Sequence, residues 1–152
     1  MRIKRIDHVA ICVADVDQAK SVWERVFGLA GTVREVVASQ KTDALFLPVG
    51  EVDGSAAGGT SQTHTAVELI GPPKEGPRNE TLDKFLAKRG AGLHHIALEV
   101  EGIEDALALL KSLGVRLIDE VPRTGARGHK VAFVHPSATG GVLVELVQAA
   151  ED

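Results

Sequence analysis

The sequence predicts an α+β fold in which two βαβββ modules pair into one curved mixed sheet around a cleft. Three observations carry that prediction. The segment Asp7-His8-Val9-Ala10-Ile11-Cys12-Val13 returns as His94-His95-Ile96-Ala97-Leu98-Glu99-Val100, with Ala10 matching Ala97, Val13 matching Val100 and Ala19 matching Ala106 at one constant offset. Self-similarity over that length marks a duplicated supersecondary unit, not a short-period solenoid. Each copy opens as a strand, passes into a helix-spaced apolar stripe and continues into three strand-like segments. A module of this kind cannot cover its own sheet face and must share a core with its twin. Finally, 152 residues with 44% hydrophobic and 25% charged side chains have the size and balance of a compact globular chain.

The first module, over residues 1–72, begins with a strand at about 3–13. Asp15 is an N-cap candidate; Ala19, Val22, Trp23, Val26 and Phe27 follow at helical spacing, and Gly28 stops the helix. Strands are expected at 32–38, 43–49 and 65–70, and the small, polar run 50–61 reads as a long exposed hairpin loop. Residues 73–91 form a linker, opened by Gly71-Pro72-Pro73 and carrying a short helix with Leu82, Phe85 and Leu86 on one face, ended by Gly90. The second module, 92–152, repeats the plan. A strand at 93–100 leads to a helix with Ile103, Ala106, Leu107 and Leu110 on its apolar stripe, ended by Gly114. Strands near 115–119, 130–135 and 141–147 complete it.

Composition removes several function classes. A net charge of −4 gives no electrostatic basis for general binding to nucleic acid or a membrane surface. One cysteine, Cys12, excludes an internal disulfide and suits a reducing compartment. No apolar run approaches the ~18 residues of a membrane span, and Met1-Arg2-Ile3-Lys4-Arg5 leads directly into a strand pattern. A cytoplasmic protein without leader or membrane anchor is the expectation.

Strand parity separates the side chains of the repeat. Val9, Ile11 and Val13 oppose His8, Ala10 and Cys12; Ile96, Leu98 and Val100 oppose His95, Ala97 and Glu99. The helices take the apolar face, which leaves each histidine on the other face beside a small alanine. Glu68 and Glu145 each lie among apolar neighbours in the last strand of a module, where a carboxylate is costly unless a cation or several donors meet it. Two imidazoles and two carboxylates, one pair per module, suit a divalent metal with open positions for substrate or water. Asp43, opening the third strand, is either a turn residue or a general base reaching the cleft. The segment Arg123-Thr124-Gly125-Ala126-Arg127-Gly128-His129-Lys130 is either a solvated hairpin or an anion-binding loop. Nothing in the spacing assigns a role to His94 or His135.

The segments Ile6-Asp7-His8-Val9-Ala10, Gly92-Leu93-His94-His95-Ile96-Ala97, Gly114-Val115-Arg116-Leu117-Ile118-Asp119, His135-Pro136 and Gly141-Val142-Leu143-Val144-Glu145-Leu146 resemble the methylmalonyl-CoA epimerases of the vicinal oxygen chelate superfamily. The likeness runs over nearly the full length and is stronger in the second module. It implies the vicinal oxygen chelate fold and a metal held by His8, Glu68, His95 and Glu145, with Glu68 where the family often has glutamine. The ion implied is a single divalent one, with cobalt, manganese, zinc, nickel and magnesium all compatible. The implied reaction is metal-dependent epimerisation of (2R)/(2S)-methylmalonyl-CoA by 1,1-proton transfer through an enolate. Asp43 and Glu145 are then the proton-transfer candidates, with Arg127 and Lys130 expected to hold the coenzyme A phosphates of an acyl-CoA substrate. A homodimer is also implied. The rivals are a glyoxalase-like isomerase, an epimerase of a related 2-alkylmalonyl-CoA, and a metal-free small-molecule-binding protein of the same fold.

Overall fold

The computed structural model describes residues 1–31, 33–50 and 64–150. Among them the chain runs β1 (Arg2–Cys12), α1 (Val16–Phe27), β2 (Val33–Val37), β3 (Thr42–Pro48), β4 (Ala66–Gly71) and α2 (Glu80–Arg89), then β5 (Gly92–Glu101), α3 (Ile103–Ser112), β6 (Arg123–Thr124), β7 (Lys130–Val134) and β8 (Val144–Gln148). All strands join one mixed sheet in the order β2-β3-β4-β1-β5-β8-β7-β6. At its centre β1 and β5, the two copies of the repeat, pair antiparallel. Each then pairs parallel with the last strand of its own module, β1 with β4 and β5 with β8. The hairpin loop expected at 50–61 lies, but for Gly50, outside the described residues.

Local signals account for the element ends. Asp15 Oδ1 accepts from the Asp17 and Gln18 amides at 2.9 and 3.1 Å, which caps α1, and Gly28 closes the helix in the left-handed region at φ 68°. Asn79 caps α2 in the same way, accepting from the Thr81 and Leu82 amides. One face of the sheet packs on α1 through Val13, Val16, Leu45, Leu47 and Leu69, and on α3 through Val100, Ile103, Ala106, Leu107 and Leu146. On the opposite face Ala10, Cys12, Ala44, Phe46 and Ile70 pack with Leu82 of α2. The sheet curls until its two ends meet around this second face. Ser39 Oγ donates to the Thr124 carbonyl at 2.8 Å, and the Arg127 amide donates to Glu35 Oε1 at 2.9 Å.

One expected strand is corrected. Residues 115–119 form only an isolated bridge, Leu117 to Val134, and the two-residue β6 takes the edge beside β7. The cause is a side chain competing with the ladder: Asp119 Oδ2 accepts the Phe133 amide at 2.9 Å, while the Ile118 and Asp119 amides both go to the Phe133 carbonyl. Among the described residues no helix is long and apolar enough to cross a membrane.

Candidate active site

Four adjacent strands, β4, β1, β5 and β8, each contribute one side chain to the floor of the cleft. The two central strands carry His8 and His95, and their outer neighbours carry Glu68 and Glu145; all four are buried. Register explains the convergence. Ala10 sits between Glu68 on β4 and His95 on β5, and Ala97 sits between His8 on β1 and Glu145 on β8. Both alanines are 0% exposed, and their methyl groups leave room for the four longer side chains. Phe46 and Phe133 repeat the symmetry: each lies opposite a glutamate of the set and meets an imidazole edge-on, His8 at 5.5 Å and His95 at 5.2 Å.

The donor atoms crowd together. His8 Nε2 lies 3.0 Å from Glu68 Oε2, 3.1 Å from Glu145 Oε2 and 3.3 Å from His95 Nε2. His95 Nε2 lies 3.2 Å from Glu145 Oε2 and 3.7 Å from Glu68 Oε2. Metal bonds of about 2.0–2.2 Å hold neighbouring ligand atoms roughly 3.0–3.5 Å apart, so these spacings and this nitrogen and oxygen donor set fit one divalent ion. Three of the four, His8, Glu68 and His95, offer donor atoms that all lie within 4.8 Å of one another.

Charge is balanced inside this floor. Burial disfavours the His8 imidazolium, but the Glu68 charge and the hydrogen bonds the ring donates to Asp7, Glu145 and Glu68 outweigh it and raise its pKa well above 6.5. Burial likewise pushes the Glu145 carboxyl up, yet His8 and His95 together hold it well below the ordinary carboxylate range. The cleft above encloses about 570 Å³, with Phe46, Leu82, Phe133 and Leu143 as apolar walls and Lys41, Arg78 and Arg123 as cations in its lining.

Asp43 and Lys130 lie away from the cleft, and Arg127 lines it already engaged. Asp43 shares the strand parity of Leu45 and Leu47 and so belongs to the α1 side of the sheet. There Arg34 donates to both its oxygens, from Nε at 3.1 Å and Nη2 at 2.8 Å, and Arg34 also pairs with Asp17 of α1. It does not line the cleft. Arg127 does line it, but its guanidinium is bonded to Asp7 at 2.9 Å and lies over Phe46 at 4.3 Å. Lys130 pairs with Glu104 at 2.6 Å on the outer surface. Gly125 of this loop serves packing: a Cβ there would sit 2.8 Å from the Val131 side chain.

Asp7 and His94 were missed. Each stands at a β-bulge, the extra residue where β1 steps from Ile6 to His8 against β5, and where β5 steps from Leu93 to His95 against β1. Asp7 Oδ2 lies 2.7 Å from His8 Nδ1. Burial opposes its charge, but the His8 hydrogen bond and the Arg127 and Arg5 guanidiniums bring its pKa down to about 2. His94 Nδ1 lies 2.8 Å from His95 Nδ1, and burial brings its pKa down to about 4. The available signal was their place in the repeat, immediately before the two histidines.

A family model described as Glyoxalase/Bleomycin resistance protein/Dioxygenase superfamily matches residues 7–133. "Uncharacterized protein YqjC" of Bacillus subtilis is 37% identical, with 99% of this chain and 96% of that protein covered. The mitochondrial methylmalonyl-CoA epimerase of Homo sapiens is 35% identical, with 95% of this chain and 74% of that protein covered. A methylmalonyl-CoA epimerase of Streptomyces coelicolor, solved in complex with 2-nitronate-propionyl-CoA, superposes with a TM-score of 0.83 at 30% identity, covering 98% of this chain and 96% of that one. The chain belongs to the glyoxalase/bleomycin resistance protein/dioxygenase superfamily and, within it, to the methylmalonyl-CoA epimerase family.

Proposed function

We propose that the protein interconverts (2R)- and (2S)-methylmalonyl-CoA by 1,1-proton transfer, with one divalent ion at His8, Glu68, His95 and Glu145. The observation that carries this reading is the four-donor cluster on the floor of a cleft, in a chain whose named relatives are epimerases of this substrate. The thioester acidifies the C2 proton. Its removal leaves an enolate that is planar at C2, and returning a proton to the other face inverts the centre. A divalent ion in the cluster supplies positive charge against the substrate oxygens where negative charge develops.

The chain's own residues must carry the proton on both faces. With Asp43 turned towards α1, Glu68 and Glu145 take that role. They come from strands on opposite flanks of the β1–β5 pair, and each carboxylate has a second oxygen besides the one that meets the histidines. Phe46 and Phe133 keep the floor apolar around them, which strengthens the electrostatics of the site. Lys41, Arg78 and Arg123 take over the expected phosphate contacts from Arg127 and Lys130. A homodimer belongs to the same proposal, supported by Val26 and Phe27 of α1, which are 57% and 61% exposed in the single chain. So does the cytoplasmic setting.

Proton–deuterium exchange at C2 of methylmalonyl-CoA in heavy water tests the reaction. Exchange supported by added divalent metal and abolished by a chelator is the expected result. Absence of exchange with every one of cobalt, manganese, zinc, nickel and magnesium overturns the reading. A protein that binds the thioester but no metal would be the binding module instead. The pairing of two carboxylates with two imidazoles also suits a glyoxalase-like isomerase, which would move the proton to a neighbouring carbon and leave the configuration at C2 of methylmalonyl-CoA untouched.

A further inference from the structure

Both copies of the repeat break the alternation of their strand at the residue before the histidine. A regular strand would turn Asp7 and His94 to the face opposite their neighbours. The extra residue of a bulge lets two consecutive side chains act on the same side. The two bulges are filled by unlike residues, a carboxylate in the first copy and an imidazole in the second.

We propose that Asp7 and His94 are positioning residues for His8 and His95, and that Arg127 of the second module locks Asp7 in place. This rests on the metal-site reading above. A carboxylate only accepts, so the 2.7 Å contact keeps a proton of His8 on Nδ1, and with an ion bound Nε2 is the atom that offers its lone pair among Glu68, Glu145 and His95. Asp7 has little freedom to leave. Arg5 holds Oδ1 at 2.8 Å and Arg127 holds Oδ2 at 2.9 Å. Arg127 is itself held: its guanidinium lies on Phe46 and its amide donates to Glu35, which ties it to the far end of the sheet.

In the second copy the 2.8 Å contact between His94 Nδ1 and His95 Nδ1 has room for one proton. With Nε2 of His95 facing the cluster, His95 donates and His94 accepts, and the His94 ring is braced by Phe85 at 5.0 Å. His8 thus works against an anion and His95 against a neutral ring. The first-module histidine is the stronger donor of the pair, and the residue that secures it comes from the other module.

The test uses the full chain with Zn²⁺ as probe, its affinity measured by competition with a chromophoric chelator, and ¹⁵N NMR of the imidazoles with Zn²⁺ bound. Asp7→Asn should weaken Zn²⁺ by about 10–100-fold at temperatures where the protein stays folded. Arg127→Gln should weaken it in the same direction, and the double variant should bind no worse than Asp7→Asn, because Arg127 acts through Asp7. The wild type should show the proton on Nδ1 of both His8 and His95. If Asp7→Asn binds Zn²⁺ like the wild type while His8→Ala does not, the positioning role is wrong and the metal site stands. If His8→Ala also binds like the wild type, the metal site itself is wrong and the inference falls with it. Should the variants fail to fold, a wild-type His8 without a proton on Nδ1 overturns the inference by itself.

Discussion

A single step of strand parity decides what Asp43 does. Its neighbours Thr42 and Phe46 line the cleft, whereas its own carboxylate is buried on the α1 side against Arg34. A proton-transfer residue replaced by its amide would cost roughly 10²–10⁴-fold in turnover. From this position Asp43→Asn should instead leave turnover within a few-fold while destabilising the fold by about 1–3 kcal/mol, the scale for a charged hydrogen-bond partner withdrawn from a mostly buried pair. Steady-state kinetics beside urea denaturation check this, and a collapse of turnover at unchanged stability would restore the acid–base role. The four ligand candidates were legible because each is a polar side chain in a strand of apolar neighbours, and because the histidines recur in register. Asp7 and His94 were not legible. Period-two alternation sends them to the wrong face, and a bulge is decided by pairing between strands that lie far apart in the chain.

Helices and strands with local stop signals were read closely, as α1 shows with Asp15 at one end and Gly28 at the other. The segment 115–119 was misread because its apolar pattern is strand-like, while the feature that breaks the ladder, the Asp119 bond to the Phe133 amide, is tertiary. The loop from Arg123 to Lys130 reads in the sequence as either a solvated hairpin or an anion-binding loop; in the structure it packs across the cleft, with Arg123 and Arg127 in the lining and Gly125 against Val131. Further cations of the lining come from outside this loop, Lys41 before β3 and Arg78 before α2, the latter paired with Asp83 at 2.6 Å. Contacts to phosphates far from C2 bind ground and transition states alike. Lys41→Gln combined with Arg78→Gln should therefore raise KM, more so at low salt, with kcat little changed. An unchanged KM with reduced kcat would place these cations at the chemical centre.

At the scale of the whole molecule, buried imidazoles set the response to acid. His129 is buried, accepts the Ala150 amide on Nδ1 at 3.0 Å, and has its pKa lowered by burial and by Arg127. His94 is lowered further, to about 4. Both rings resist protonation in the fold and accept it freely when unfolded, so their contribution is full above the ordinary value of 6.5 and declines as pH falls below it. His8 has the opposite sign, but its raised pKa gives a contribution that is already complete below 6.5 and constant from there down. The lowered carboxyls of Asp7 and Glu145 keep theirs until the pH nears 4. Chelator-treated protein should accordingly lose stability as pH falls from about 6.5 to about 5, read as a falling urea midpoint; a flat or rising midpoint over that interval would contradict the assignment.

The pairing of β1 with β5 also sets an order in time. His8 and His95 are 87 residues apart in the chain, yet they meet on neighbouring strands. As the polypeptide leaves the ribosome, the first module is made complete with one imidazole and one carboxylate, and its inner strand stays without its central partner until β5 has emerged. Closing so long a loop is slow compared with forming a helix or a hairpin. The nascent chain therefore spends its early life with only half of the four-residue cluster, one imidazole and one carboxylate. The cluster is completed in one late event, when the two central strands pair.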